Sequence, residues 1–142
     1  MKAFKFRLGT LLHLREISRD KALSNYAHSI NARQEKERVL RDSQLYLESL
    51  HHQIGERRKN SFTGSKQESF DLSVSHAKEK ILDANQDLQQ ALQTENAKKG
   101  IYLKADSEYK SLLKLKEKQY EEHFYTESLK EERELEDIIG GR

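Results

Sequence analysis

Apolar residues recur every seven positions along two long stretches of a chain that contains no proline in 142 residues. Proline is the residue that most reliably ends a helix, so its absence leaves both stretches free to run as long helices. From Leu8 to Ile54, one heptad column holds Leu12, Tyr26, Leu40, Leu47 and Ile54, and a neighbouring column holds Leu8, Ala22 and Leu50. Arg19 and Arg33 interrupt the first column; Arg15, Ser29, Lys36 and Ser43 interrupt the second. Such a seam is imperfect and predicts stretches open to water, although arginine stems can cover apolar surface while their heads stay hydrated.

The second stretch is more regular. Val74, Ile81, Leu88, Tyr102 and Tyr109 form one column, and Phe70, Ala77, Ala84, Ala91, Ala105 and Leu112 form the other. Alternation of large residues with alanine lets two helices approach closely, large side chains of one filling the space beside small residues of the other. After Leu112 the pattern slips to Leu113, Tyr120 and Phe124, then Leu135 and Ile138, as a four-residue stutter produces.

Only 35% of residues are hydrophobic, another 35% are charged, and the mean hydropathy is -0.98. A thick globular core is excluded, whereas thin two-helix packing needs one narrow stripe per helix. The cluster Asn60-Ser61-Phe62-Thr63-Gly64-Ser65 is where the chain should reverse, and Ser65-Lys66-Gln67-Glu68 reads as a capping box opening the second helix, with Ser69 and Ser73 as alternative later starts. The expected fold is all-α: an antiparallel two-helix coiled-coil hairpin forming one domain over residues 1–142. Helix one covers about 8–59, the turn about 60–65 and helix two about 66–139.

A turn centred near residue 62 sets residues whose numbers total about 125 opposite each other. The first helix would be roughly 75–80 Å long and the second more than roughly 100 Å at 1.5 Å per residue. Helix two is therefore expected to lose its partner beyond about Tyr120, although Phe124, Leu129, Leu135 and Ile138 lie there. Charge is uneven in the same region. Residues 1–21 carry six Lys or Arg against two acids, and residues 121–137 carry eight acids against two bases. Both termini meet at the open end of the hairpin, which marks that end as an electrostatically patterned docking surface.

The chain offers little chemistry of its own. There is no phosphate loop or nucleophile elbow, no cysteine for a disulfide or a thiolate-bound zinc, and no water-excluding pocket is expected between two narrow helices. His51 and His52 diverge on a helix, and a His51–His76 approach would lack further ligands. Glu121-Glu122 and Glu131-Glu132 read as solvated surface, and Tyr26, Tyr102 and Tyr109 as seam residues. Gly100 interrupts the second helix and predicts a soft spot. Neither a signal peptide nor a membrane-spanning run is expected, and a net charge of +2 gives no long-range attraction for nucleic acid. The reading is a cytoplasmic, non-enzymatic protein without cofactor or metal, acting by binding other proteins.

At the amino-terminal end, Phe4-Lys5-Phe6-Arg7-Leu8, then Leu11-Leu12 and Leu14-Arg15-Glu16, resembles the opening F-x-F-R-L-x-x-L-L-x-L-R-E of the flagellar export protein FliJ family. Glu132-x-Glu134-Leu135-Glu136-Asp137-Ile138 resembles that family's acidic close, with Glu136-Asp137 in reversed order. The resemblance implies a component of the flagellar type III export apparatus, serving flagellum biogenesis and motility, whose hairpin resembles the stalk of a rotary ATPase. It implies that the open end enters the export ATPase ring, a hexamer, and promotes its assembly and turnover. It further implies contacts with the export gate membrane protein and with export chaperones. Localisation would be cytoplasmic, held peripherally at the inner-membrane flagellar base by protein partners.

Carried onto this sequence, ATPase binding falls on Phe4, Phe6, Arg7, Leu8, Leu11, Leu12 and Arg15, with Glu134, Leu135, Glu136 and Ile138. For the gate, aromatic residues near the turn, Tyr46, Phe62 and Phe70, are the candidates. Other readings are the equivalent stalk of a virulence-type secretion system, a generic structural or homodimeric coiled coil, and a nucleic-acid-binding coiled coil.

Overall fold

The computed structural model describes residues 2–60 and 63–140. It contains two α-helices packed against each other as a hairpin, α1 (Gly9–Lys59, 51 residues) and α2 (Gly64–Gly140, 77 residues). No strand occurs among the described residues. At the start of α1, Gly9 N–H donates to the Phe6 carbonyl (3.1 Å) and Leu12 N–H to the Leu8 carbonyl (2.8 Å). At its end, Asn60 N–H reaches the Arg57 carbonyl (3.1 Å), and Arg57, Arg58 and Lys59 place positive charge beside the last carbonyls, where the helix dipole favours it.

The second helix opens earlier than its capping box predicts. Gln67 N–H donates to the Thr63 carbonyl (3.1 Å), so Thr63 supplies the first helical acceptor and is the cap residue. Ser65 is already inside the helix, its hydroxyl 3.2 Å from that of Thr63, and is not free to cap in the Ser65–Glu68 manner. The expected turn residues Ser61 and Phe62 lie outside the described residues.

Contacts divide the fold into two units, Asn25–Lys99 and Met1–Ser24 with Gly100–Arg142. Within Asn25–Lys99, Leu50, Ile54, Ala77 and Ala84 are buried, and Tyr26, Leu40, Leu47, Phe70, Val74, Ile81, Leu88 and Ala91 are half-buried. All belong to the expected columns. Ala77, at 1% exposure, is the most enclosed of the buried residues. The polar interruptions also face inward. Ser29 is buried and donates to its own helix at the Tyr26 carbonyl (2.6 Å), and Arg33 donates across the seam to Glu95 (2.7 Å) and along α1 to Glu37 (2.9 Å). These bonds, Glu95 first and Glu37 second, raise the Arg33 pKa above its usual range and keep the guanidinium charged. Near the turn, the Arg57 guanidinium stacks on Phe70 at 5.4 Å.

In the other unit Leu12 and Ala22 are buried, and Leu8, Tyr102, Ala105, Tyr109 and Leu112 are half-buried. Arg15 donates to Glu108 (2.8 Å), and Arg19 lies 4.3 Å over the Tyr109 ring while bonding Asp20 (2.9 Å). The Asp20 bond raises the Arg19 pKa. Seam arginines therefore find acids and rings instead of leaving unpaired gaps; among the described residues no buried side-chain nitrogen or oxygen lacks a hydrogen-bond partner. Residue totals of facing pairs are 128 for Arg33 with Glu95 and 127 for Arg57 with Phe70. In the terminal unit they run from 123 for Arg15 with Glu108 to 128 for Arg19 with Tyr109, close to the expected register.

Two stability outcomes follow from the seam. Ala77→Leu should destabilise by about 1–3 kcal/mol through overpacking, whereas Leu82→Ala at an exposed position should stay within about 0.5 kcal/mol; urea unfolding followed by circular dichroism measures both. Gly100 sits inside α2 with open space where a Cβ would project. Gly100→Ala should therefore stabilise by about 0.5–1 kcal/mol, the ordinary helix preference for alanine, and an unchanged or lowered midpoint would contradict that.

Candidate docking surface

The terminal unit is built from α1 up to Ser24, α2 from Gly100 onward, and residues 2–6, which are not helical. Along residues 4–7, half-buried Phe4 and Phe6 alternate with exposed Lys5 and Arg7, the period of an extended segment. Phe4 meets Tyr120 edge-on (centroids 5.4 Å apart, 77° between planes) and tilts against His123 (5.6 Å). The His123 ring nitrogen Nε2 is 2.9 Å from the Lys2 carbonyl oxygen, so it donates there as the Nε2–H tautomer. Partner cover on α2 thus reaches beyond Tyr120, with Gln119, His123, Glu127 and Ser128 half-buried. On this stretch His123 occupies the inner face, and Phe124 is exposed, as expected beyond the reach of α1.

From Leu129 to Gly140 every residue of α2 is exposed. Tyr120, Phe124, Leu135 and Ile138 lie along one helical face at three- and four-residue steps through Ser128 and Glu131. Leu135 is 58% and Ile138 69% exposed, and Tyr125 and Ile139 are also exposed. Eight acids against two bases in residues 121–137 surround them. Exposed apolar side chains amid an excess of acids make this face a candidate docking surface.

The eleven residues matched at the two termini separate by environment. Leu12 is buried, and Leu8 and Arg15 are half-buried in the seam, Arg15 bound to Glu108. Phe4 and Phe6 face inward, Phe4 onto α2. Arg7, Leu11, Glu134, Leu135, Glu136 and Ile138 are exposed. Two exposed residues were not among the docking candidates, Leu14, which the amino-terminal motif includes, and Ile17; both continue from Leu11 at three-residue steps on the side of α1 turned away from the seam. The three-residue recurrence was the available signal, masked by the stronger heptad columns.

In the Asn25–Lys99 unit, Tyr46 is 54% exposed and lines a shallow groove of about 300 Å³ with Val39, Asp42, Ser43, Ala77 and Lys80. Phe70 is half-buried beneath Arg57. Phe62 lies outside the described residues. Among the described residues no three of His, Asp and Glu gather as a metal site, and no helix is long and apolar enough to cross a membrane.

The family model for the Flagellar FliJ protein matches residues 4–139, from the aromatic amino-terminal segment to the exposed end of α2. The chain belongs to the flagellar FliJ family. FliJ membership makes it a coiled-coil protein related to flagellar export, in a family of structural stalk proteins. It also favours the flagellar reading over the virulence-type, generic and nucleic-acid-binding alternatives. No curated protein and no solved structure matched the chain.

Proposed function

We propose that this FliJ chain is one coiled-coil domain that works as a stalk. Its terminal unit docks in the export ATPase ring and promotes ring assembly and turnover, without chemistry of its own. The observation that carries this reading is the acidic, apolar stretch of α2 from Leu129 to Gly140, exposed along its whole length although Leu135, Ile138 and Ile139 are apolar. A ring-shaped partner covers a helix from all sides, and so suits a segment exposed all round better than a flat partner does. The docking contacts assigned here are Leu135 and Ile138 flanked by Glu134 and Glu136, with Arg7 and Leu11 at the start of α1; Leu8, Leu12 and Arg15 hold the seam beneath them.

At the other unit, Tyr46 and its groove form the proposed contact with the export gate, with Phe70 shaping that surface from within the seam. Through these two units the chain links ATPase to gate, and export chaperones bind along it. Its place would be the cytoplasmic side of the flagellar base, held there by protein partners.

Leu135→Ser with Ile138→Ser should weaken capture by the cognate export ATPase at least about tenfold, since full burial of each side chain contributes roughly 1.5–3 kcal/mol and about 1.4 kcal/mol is a factor of ten. Helicity should be unchanged because neither residue is in the seam. Unchanged capture by the folded variant would remove the docking role, and bound protein that left ATP turnover unaltered would reduce the stalk to an adaptor. Tyr46→Ser should weaken binding of the gate protein while sparing the ATPase; loss of both or of neither would count against the gate assignment.

A further inference from the structure

We infer that residues 2–6 form a displaceable strap that occupies the near end of the docking stripe on α2 and stands in for the partner's own surface. This rests on the reading of that stripe as a docking site and adds its regulation and the chemistry of its occupant. The strap lies on Tyr120 and His123, at the level where α1 gives out and α2 continues alone. Tyr120 begins the face that runs on through Phe124 to Leu135 and Ile138. A partner segment that follows this face toward the hairpin therefore meets Phe4.

Hold on the strap is slight. Among the described residues, what holds it to α2 is the two aromatic contacts of Phe4, the hydrogen bond from His123 to the Lys2 carbonyl and the partial burial of Phe4 and Phe6. Among the described residues, the only backbone hydrogen bond it makes outside the helices is at its root, from Gly9 N–H to the Phe6 carbonyl. A segment held by a few side chains, without a hydrogen-bonded ladder, opens locally far more readily than the helices beneath it. Beside it a groove of about 440 Å³ runs along Leu113, Glu117 and Tyr120 with Phe4 as one wall, leaving room for another side chain next to the strap.

Composition points to what the strap imitates. Lys2, Lys5 and Arg7 are exposed around the inward Phe4 and Phe6, and the facing stretch of α2 carries Glu117, Glu121, Glu122 and Glu127. Basic charge with apolar side chains is what complements the acidic, apolar stripe, so the partner surface that replaces the strap is itself basic and apolar. If the strap is shut about nine-tenths of the time, it weakens apparent affinity about tenfold, because only the open fraction can bind.

The chain has no cysteine, so one introduced pair can be linked cleanly. Ala3 and Gln119 line a second groove, on the His123 side of Phe4, and Ala3→Cys with Gln119→Cys joined by a short bis-maleimide holds the strap shut. The full-length linked protein, its unlinked form and Phe4→Ser are compared by fluorescence of an apolar dye and by affinity for the export ATPase. Phe4→Ser should raise dye fluorescence and tighten ATPase binding by up to about tenfold, and the link should lower dye fluorescence and abolish tight binding. Equal dye signals across the three proteins, a linked protein that binds as well as the unlinked one, or weaker binding by Phe4→Ser would overturn the strap. If no form binds the ATPase, the docking reading fails, and the dye signals alone still decide whether the strap opens.

Discussion

Everything in this protein depends on a seam one stripe wide. With as many charged residues as hydrophobic ones, no second layer is available, and burial has to come from two heptad columns on each helix. Small residues make that seam close: Ala77 and Ala84 are buried in a row where Phe70, Ala91 and Leu112 are only half-buried. Large neighbours then fill the space that alanine leaves.

The polar residues in the seam bear on register. Arg33 faces Glu95, and sliding α2 by one heptad in either direction would put Leu88 or Tyr102 there, leaving a half-buried guanidinium without its cross-helix carboxylate. Hydrophobic columns alone do not distinguish those registers, because each column repeats every seven residues. The Arg15–Glu108 pair applies the same discrimination within the terminal unit, since a one-heptad slide would bring Ile101 or Leu115 opposite Arg15. With register set and α1 shorter than α2 by 26 residues, from 51 against 77, part of α2 must end without a helical partner. The exposed acidic end is thus a consequence of chain lengths, and its apolar content is the basis for the docking role proposed for it.

Periodicity made most of this legible. The columns from Leu8 to Ile54 and from Phe70 to Leu112 can be read directly, and so can the register, since one turn between two continuous helices leaves a single free parameter. Features outside the repeat were harder to see. The start of α2 at Gly64 turned on which hydroxyl residue caps it, and Thr63 and Ser65 offer nearly the same chemistry two positions apart. Residues 2–6 carry no helical period, so nothing announced that Phe4 would lie on Tyr120 or that His123 would hold the Lys2 carbonyl. The terminal motifs did not separate seam from surface: Leu11 and Leu12 are neighbours in sequence, yet only Leu12 is buried. Adjacent residues on a helix point about 100° apart, and a seam narrower than that admits one of them.

Amide hydrogen exchange along α2, with and without the export ATPase, puts the docking of the unpaired end to the most direct test. Amides from Val74 to Leu112 should exchange slowly in both states, while those from Leu129 to Gly140 should exchange fast in the free chain and slowly in the complex. Slow exchange of that end in the free protein, or fast exchange that the ATPase leaves unchanged, would contradict it.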